Sequence, residues 1–208
     1  MPRKFLFTRE QIVEAALSVV RERGITALTA RSLADALGTS TKPIFGLFQN
    51  MEEVHDAVLR AADELYNAQI RADMAHGEFP PYKASGMAYI RFAREETQLF
   101  RMLFMRDRSH ETIDAAKSRA EIEPLVQIIA RNNGISLEEA YRFHIEMWVF
   151  VHGIASMIAT GYLVWDDTDI SDALTDAYRG IRSRFAEKAE ERIQKHGSDY
   201  NNQSDKKI

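Results

Sequence analysis

The sequence contains no cysteine. That excludes a disulfide framework, a thiolate zinc site, an iron–sulfur cluster and a cysteine nucleophile, and it suits a reducing compartment such as the cytoplasm. Proline and glycine are scarce, at 5 and 10 of 208 residues, so there are few breaks. Leu, Ala, Glu, Arg and Met dominate long stretches, a composition that favours helix nearly throughout. No internal repeat and no extended strand-period run is present. Long hydrophobic runs are lacking with one exception. The opening MPRKFLFTRE has only a short apolar run before Arg9, too short for a secretory signal. The exception is Met147 to Trp165, which is free of formal charge when His152 is neutral and close to the length of a membrane span. His152, Gly153, Ser156, Thr160 and Gly161 interrupt it. A helix apolar on all sides equally suits one buried between a ligand cavity and a partner subunit, and that reading, without a membrane partner, is preferred.

Signatures of catalysis are also missing. There is no GxGxxG, GxxxxGK, GxSxG or HExxH. A di-iron helical bundle needs two Glu-x-x-His units with partner carboxylates; Glu52 with His55 supplies one, and Asp73 with His76 is a near miss. The cluster Asp166, Asp167, Thr168, Asp169 has too few ligands for a calcium loop and reads as a turn plus a helix cap. No catalytic residue, metal or cofactor is expected.

What the chain does have is a charge asymmetry. Residues 1–50 hold seven Lys/Arg against four acids, or +3, and the remainder holds twenty against twenty-seven, or −7. A basic front end on an acidic body suggests that only the front end meets a polyanion.

Helix punctuation is clear along the chain. Thr8 and Gln11 form a capping-box signature for a first helix ending at Arg23, with Gly24 as its stop. Thr29 is the N-cap of a second helix ending at Leu37, followed by Gly38. Ser40 caps a third short helix reaching Leu47 or Phe48, with Pro43 in its first turn, where the missing N–H is harmless. Asn50 and Glu53 make a capping box for a long fourth helix to about Ala75. After the loop His76 to Lys83, helices are predicted at about 82–95, 97–106, 110–132, 136–163 and 170–195. Ser136 with Glu139 caps the fourth of these, and Asp169 or Ser171 the last. The polar tail from Gly197 is expected to be disordered.

The second and third helices carry the functional signal. Leu28, Leu33, Ala34, Leu37, Ile44 and Phe48 are spaced to bury one small core across the turn at Gly38. The outward positions Ser40, Thr41, Lys42 and Gly46 are small or polar and include a cation. A short helix of that kind after a tight turn suits entry into a major groove. A helical hairpin that binds nothing has the same pattern.

The stretch LTARSLADALGTSTKPIFGLFQNMEEVHDAVL, Leu28 to Leu59, resembles the N-terminal DNA-binding domain of the TetR family of bacterial transcriptional regulators. With the preceding helix and Gly24 turn, the similarity covers roughly residues 8–60. More loosely, Met87 to Met105 and the run from Trp148 to His152-Gly153 resemble one type of effector-binding domain in that family. The resemblance implies an all-α fold: an N-terminal helix-turn-helix three-helix domain (1–50) joined to a larger helical effector-binding and dimerisation domain (51–196), with a tail at 197–208. It also implies double-stranded DNA, a small-molecule effector and a second copy of the chain as partners.

Carried over position by position, the resemblance places Thr29, Arg31, Ser40, Thr41, Lys42, Pro43, Phe45, Gly46, Gln49 and Asn50 at the DNA, with Lys4 in a flexible arm. Lys42 can pair with guanine acceptors or neutralise a phosphate. Three positions depart from the family pattern: Phe45 stands where Tyr is usual, Leu47 where His is frequent, and Met51 where Lys is usual. Those three normally supply phosphate contacts, so fewer are expected here.

In the C-terminal part, Phe92, Phe100, Leu103, Met105, His144, Trp148 and His152 are the effector-binding candidates, drawn from helices that also supply ordinary core. Ile154, Ile158, Leu174, Ala177, Tyr178, Ile181 and Phe185 are the candidates for a dimer interface, since the resemblance implies that the last two helices pair with their copies. The expectation is a ligand-released, DNA-binding repressor that reads a palindromic operator as a homodimer. The alternative is a helical small-molecule-binding or adaptor protein that has lost specific DNA recognition, a reading motivated by Phe45, Leu47 and Met51.

Overall fold

The computed structural model describes residues 6–109 and 115–204, with side-chain surroundings for 6–109 and 118–187. The described residues are helical or irregular, without a strand: α1 Arg9–Arg23, α2 Ala30–Ala36, α3 Met51–His76, α4 Pro81–Glu95, α5 Thr97–Phe104, α6 Ala115–Asn133, α7 Leu137–Ala159 and α8 Asp167–Ser204, with 3₁₀ turns at Ile25–Ala27 and Ile44–Gly46. They fall into two compact units, one of residues 1–112 and 152–164, the other of 113–151 and 165–208. α7 contributes its C-terminal part to the first and its N-terminal part to the second.

The helix starts follow local chemistry. Thr8 accepts a hydrogen bond from the Gln11 N–H, and Gln11 Oε1 accepts one from the Thr8 N–H at 2.8 Å, a complete capping box. Thr29 and Ser32 exchange the same pair of bonds at the head of α2. α2 ends in a Schellman motif, with Gly38 at φ 63° and the Thr39 N–H reaching the Ala34 carbonyl at 3.0 Å. A β-carbon there would disfavour the left-handed backbone that turns the chain toward the next element.

In the first unit α1 packs against α2, α3 and α5, and α3 against α4 and α5. Ile12, Ala16, Val19 and Val20 of α1 are buried, as are Leu28, Leu33, Ala34, Ile44 and Phe48 and, on α3, Val54 and Val58. Burying Leu, Ile and Phe side chains stabilises by roughly 1.5–3 kcal/mol each, which is how so small a domain holds its shape. The second unit is built around Val126 and Ile129 of α6, Ala140, Phe143 and Met147 of α7, and Ile170 and Leu174 of α8. Phe143 meets Tyr178 edge-on, with ring centroids 5.1 Å apart, and Asn133 Nδ2 donates to the Tyr178 hydroxyl at 2.9 Å.

Several expectations are corrected. The third short helix is a 3₁₀ turn at Ile44–Gly46 inside a hydrogen-bonded bend, not a regular α-helix. Pro43 lacks an N–H to donate, and the Gly46 N–H is shared between the Lys42 and Pro43 carbonyls at 3.1 and 3.3 Å, the three-centre arrangement of a tightened turn. At α3 only half of the capping box forms: Asn50 Oδ1 accepts from the Glu53 N–H at 2.9 Å, while the Glu53 carboxylate accepts from the Gln49 N–H at 2.7 Å instead. α8 is capped by Asp166, whose Oδ1 accepts from the N–H groups of Thr168 and Asp169 at 2.8 and 2.9 Å, so the helix begins ahead of Asp169 and Ser171. It then continues through Gly197 to Ser204, past the predicted end at about 195. α7 stops at Ala159, where Gly161 (φ 74°) takes the left-handed turn and the Tyr162 N–H bonds to the Met157 carbonyl at 2.9 Å. That break leaves the helical part of Met147 to Trp165 only about 20 Å long. Among the described residues no helix is long and apolar enough to cross a membrane.

Candidate nucleic-acid interface

A small core fixes the interface from behind. Leu33 and Ala34 of α2 and Ile44 and Phe48 after the turn are buried, so the residues between them are turned outward. Arg31, Ser40, Lys42, Gly46, Gln49 and Asn50 are exposed, and Thr41 and Pro43 are half-buried beside them. Phe45 is exposed as well, although its neighbour Ile44 is fully buried. The arrangement presents two cations, two hydroxyls and an aromatic ring along one short segment. Those groups can neutralise phosphates and reach base edges. Thr29 is held by its capping bonds with Ser32, and Asn50 uses its side-chain oxygen to cap α3. Lys4 lies outside the described residues.

Three residues to which the sequence reading gave no part in the DNA-facing surface hold it in place. Arg9 donates to the Leu47 carbonyl at 3.0 Å and to Glu53 at 2.7 Å, with its guanidinium 4.0 Å from the centre of the Phe48 ring. The Gln49 N–H and then Arg9 hold the Glu53 carboxyl below its ordinary range. His55 on α3 donates through Nε2 to the Leu28 carbonyl at 3.0 Å, just ahead of the α2 cap. Their partners lie 27 to 44 residues away in sequence, so no local spacing rule reveals them. Farther along α1, Arg21 grips Glu96 through two parallel bonds of 2.9 Å.

The effector candidates divide. Phe92, Phe100 and Leu103 are buried in the first unit. His152, also in that unit, hydrogen-bonds the Tyr89 hydroxyl through Nδ1 at 2.9 Å and stands 6.1 Å from the Phe100 ring. Tyr66 and Phe104, not among the candidates, complete this aromatic cluster, with Tyr66 5.4 Å from Phe92 and 5.0 Å from Phe104. Burial raises the Tyr66 and Tyr89 hydroxyl pKa values, and lowers that of the His152 imidazole, so all three are neutral near pH 7. Met105 is exposed at the surface. His144 and Trp148 belong to the second unit, where His144 is buried and Trp148 exposed.

Of the dimer candidates, Ile154 and Leu174 are buried within the chain. Ile158, Ala177, Tyr178, Ile181 and Phe185 are half-buried, Tyr178 and Phe185 against Phe143. Ile145, Trp148, Val149, Phe150 and Met157 of α7 are apolar and exposed.

Comparison with known proteins gives a consistent result. Residues 12–58 match the family model for bacterial regulatory proteins of the tetR family, and residues 82–179 match the tetracyclin repressor-like C-terminal domain. An uncharacterized HTH-type transcriptional regulator of Mycobacterium tuberculosis is 26% identical over 174 residues, 81% of this chain and 77% of that protein. A TetR family transcription regulator from Marinobacter aquaeolei superposes with a TM-score of 0.62 at 15% identity, covering 82% of this chain and 93% of that one. A putative TetR family regulator from Vibrio parahaemolyticus gives 0.56 at 19%, covering 85% and 97%.

Proposed function

The chain belongs to the TetR family of transcriptional regulators, not to an enzyme family, and carries a DNA-binding domain at its N-terminus, from which we propose that it is a ligand-responsive repressor binding a palindromic operator as a homodimer. The observation that carries the specific DNA reading is the outward set Arg31, Ser40, Lys42, Phe45 and Gly46 on a turn whose opposite face is fully buried. DNA binding is assigned to residues 1–50, with Thr29, Thr41, Pro43, Gln49, Asn50 and the Lys4 arm as further contacts. Effector binding and dimerisation are assigned to residues 51–196.

For the effector we assign the first-unit cluster around Phe92, Phe100, Leu103 and His152, where an aromatic wall meets the polar Tyr89–His152 pair. Apolar walls with a few placed polar groups are the ordinary composition of such sites. For the dimer we assign the exposed α7 face around Ile145, Trp148 and Val149, with the half-buried stripe of α8. Two recognition segments about 34 Å apart then read half-sites one turn apart. Ligand acts by population shift: it favours states in which that spacing is wrong, and a decisive change needs a preference of about 3–5 kcal/mol. A regulator of this kind works on the chromosome in the cytoplasm.

The test is recovery of bound fragments from sheared genomic DNA of the source organism at about 150 mM salt, where phosphate contacts alone bind weakly. Enrichment of a few sites sharing a palindrome supports the reading, and their neighbouring genes point to the effector. Uniform recovery before and after unfolding and refolding to strip ligand would overturn it in favour of a helical ligand-binding protein without specific DNA recognition.

A further inference from the structure

A cleft of about 340 Å³ opens in the first unit, with none of the aromatic cluster's side chains in its lining. The volume lies at the small end of the roughly 300–1,000 Å³ typical of small-molecule sites. Its apolar lining is Ile25, Leu59, Met102 and Met105, contributed by the 3₁₀ turn after α1, by α3, and by α5 and the residue after it. Its polar lining is Arg101, Arg106, His55, Gln98 and Asp56.

The charge balance is what selects a ligand. Two guanidiniums and one carboxylate stand in the cleft's lining among the described residues, a cationic excess there. Arg101 donates one N–H to the Ala159 carbonyl at 2.6 Å, and a guanidinium has five donors to offer. The Arg106 pKa is lowered first by burial and then by the like charge of Arg108. The thioethers of Met102 and Met105 adapt to apolar bodies of varied shape. We propose that this cleft binds a small apolar molecule bearing a carboxylate, with Arg101 and Arg106 holding the acid and the Met102–Leu59 side taking the body.

The position of the cleft gives such a ligand a consequence. His55, in its lining, donates to the Leu28 carbonyl, and Leu28 directly precedes the Thr29 cap of α2. A ligand seated against His55 therefore bears on the element that positions the DNA-facing turn. This consequence, though not the cleft itself, rests on the ligand-responsive reading above.

Octanoate is the probe, with octanol and octylammonium as controls that share its body and differ in charge. Calorimetric titration of the full-length protein is expected to give one octanoate site per chain, clearly weaker binding of octanol, and none of octylammonium. Arg106→Gln and Arg101→Gln are each expected to weaken octanoate by roughly tenfold or more, the loss of a charge-assisted hydrogen bond. Arg101→Lys, which keeps the cation, is expected to retain most of the affinity. Circular dichroism and the melting temperature identify any variant that fails to fold, and the other arginine-to-glutamine variant then carries the test. No octanoate binding up to about 5 mM, equal affinity for octanol, or affinity indifferent to both arginines would overturn the proposal. Octanoate binding that leaves DNA recovery unchanged supports the cleft as a site while counting against a ligand response through it. A ligand response surviving in the Arg101→Gln, Arg106→Gln double variant would belong to the His152 cluster.

Discussion

The Arg9 guanidinium lies 2.7 Å from the Glu53 carboxylate while stacking 4.0 Å from the Phe48 ring centre, and so ties the first turn of α1 to the first turn of α3 across the DNA-facing segment. Both charges are partly exposed, so the ion pair itself contributes little. The hydrogen bond from Arg9 to the Leu47 carbonyl and the stacking carry more. Arg9→Ala is expected to lower stability by about 1–2 kcal/mol in urea denaturation and to weaken DNA binding. Full DNA binding at reduced stability would show that the turn keeps its shape without this clamp.

The three apolar substitutions at phosphate-contact positions lead to a salt test. Phe45 is exposed and Leu47 and Met51 are half-buried, and none of them can neutralise a phosphate. The log–log dependence of operator affinity on salt is expected to be shallower than the slope of about −8 to −10 that a protein with many phosphate contacts shows. Met51→Lys, at the first position of α3, is expected to steepen it by about 2 for a dimer, one contact per protomer. An unchanged slope would place Met51 away from the backbone.

Two apolar residues separate association from folding. Val149 is 61% exposed on α7, whereas Leu174 on α8 is 3% exposed. Val149→Asp is expected to convert a dimer to a monomer in light scattering while leaving the protomer within about 0.5 kcal/mol of its parent stability. Leu174→Ala is expected to cost about 2–4 kcal/mol through a cavity in the chain's own core. A dimer that survives Val149→Asp would move the interface elsewhere.

These assignments show what the sequence made legible. Caps and stops such as Thr8, Thr29 and Gly38 are decided within a few residues, and the family resemblance over residues 8–60 rests on the same dense local pattern. Distant partners were beyond reach. Arg9 finds Glu53 and His55 finds Leu28 only after the chain has folded. Periodicity also could not say which neighbour covers a stripe: Leu174 and Ile154, both candidates for the interface, are buried within the chain. The candidates His144 and His152 sit on one helix, yet that helix is shared between two compact units. Tyr66 went unnoticed because a lone aromatic on the long α3 carries no local signal.

His144 gives the pH dependence its sign. Burial pushes its pKa down to about 4, whereas an unfolded histidine titrates near 6.5. Between those values the unfolded chain binds the proton that the folded one refuses, so stability is lost as pH falls from about 6.5 toward 4 and levels off below. The size of the loss is roughly 2–4 kcal/mol. Burial also lowers the His152 pKa, so its contribution has the same sign. Urea midpoints measured from pH 7.5 to 4 are therefore expected to fall, and His144→Gln is expected to flatten part of that fall. The carboxylates that titrate near pH 4 overlap only its lower end, so the comparison between pH 6.5 and 5 is the informative one. A variant with the same slope as its parent over that interval would mean that His144 opens to water and takes up its proton without unfolding the second unit.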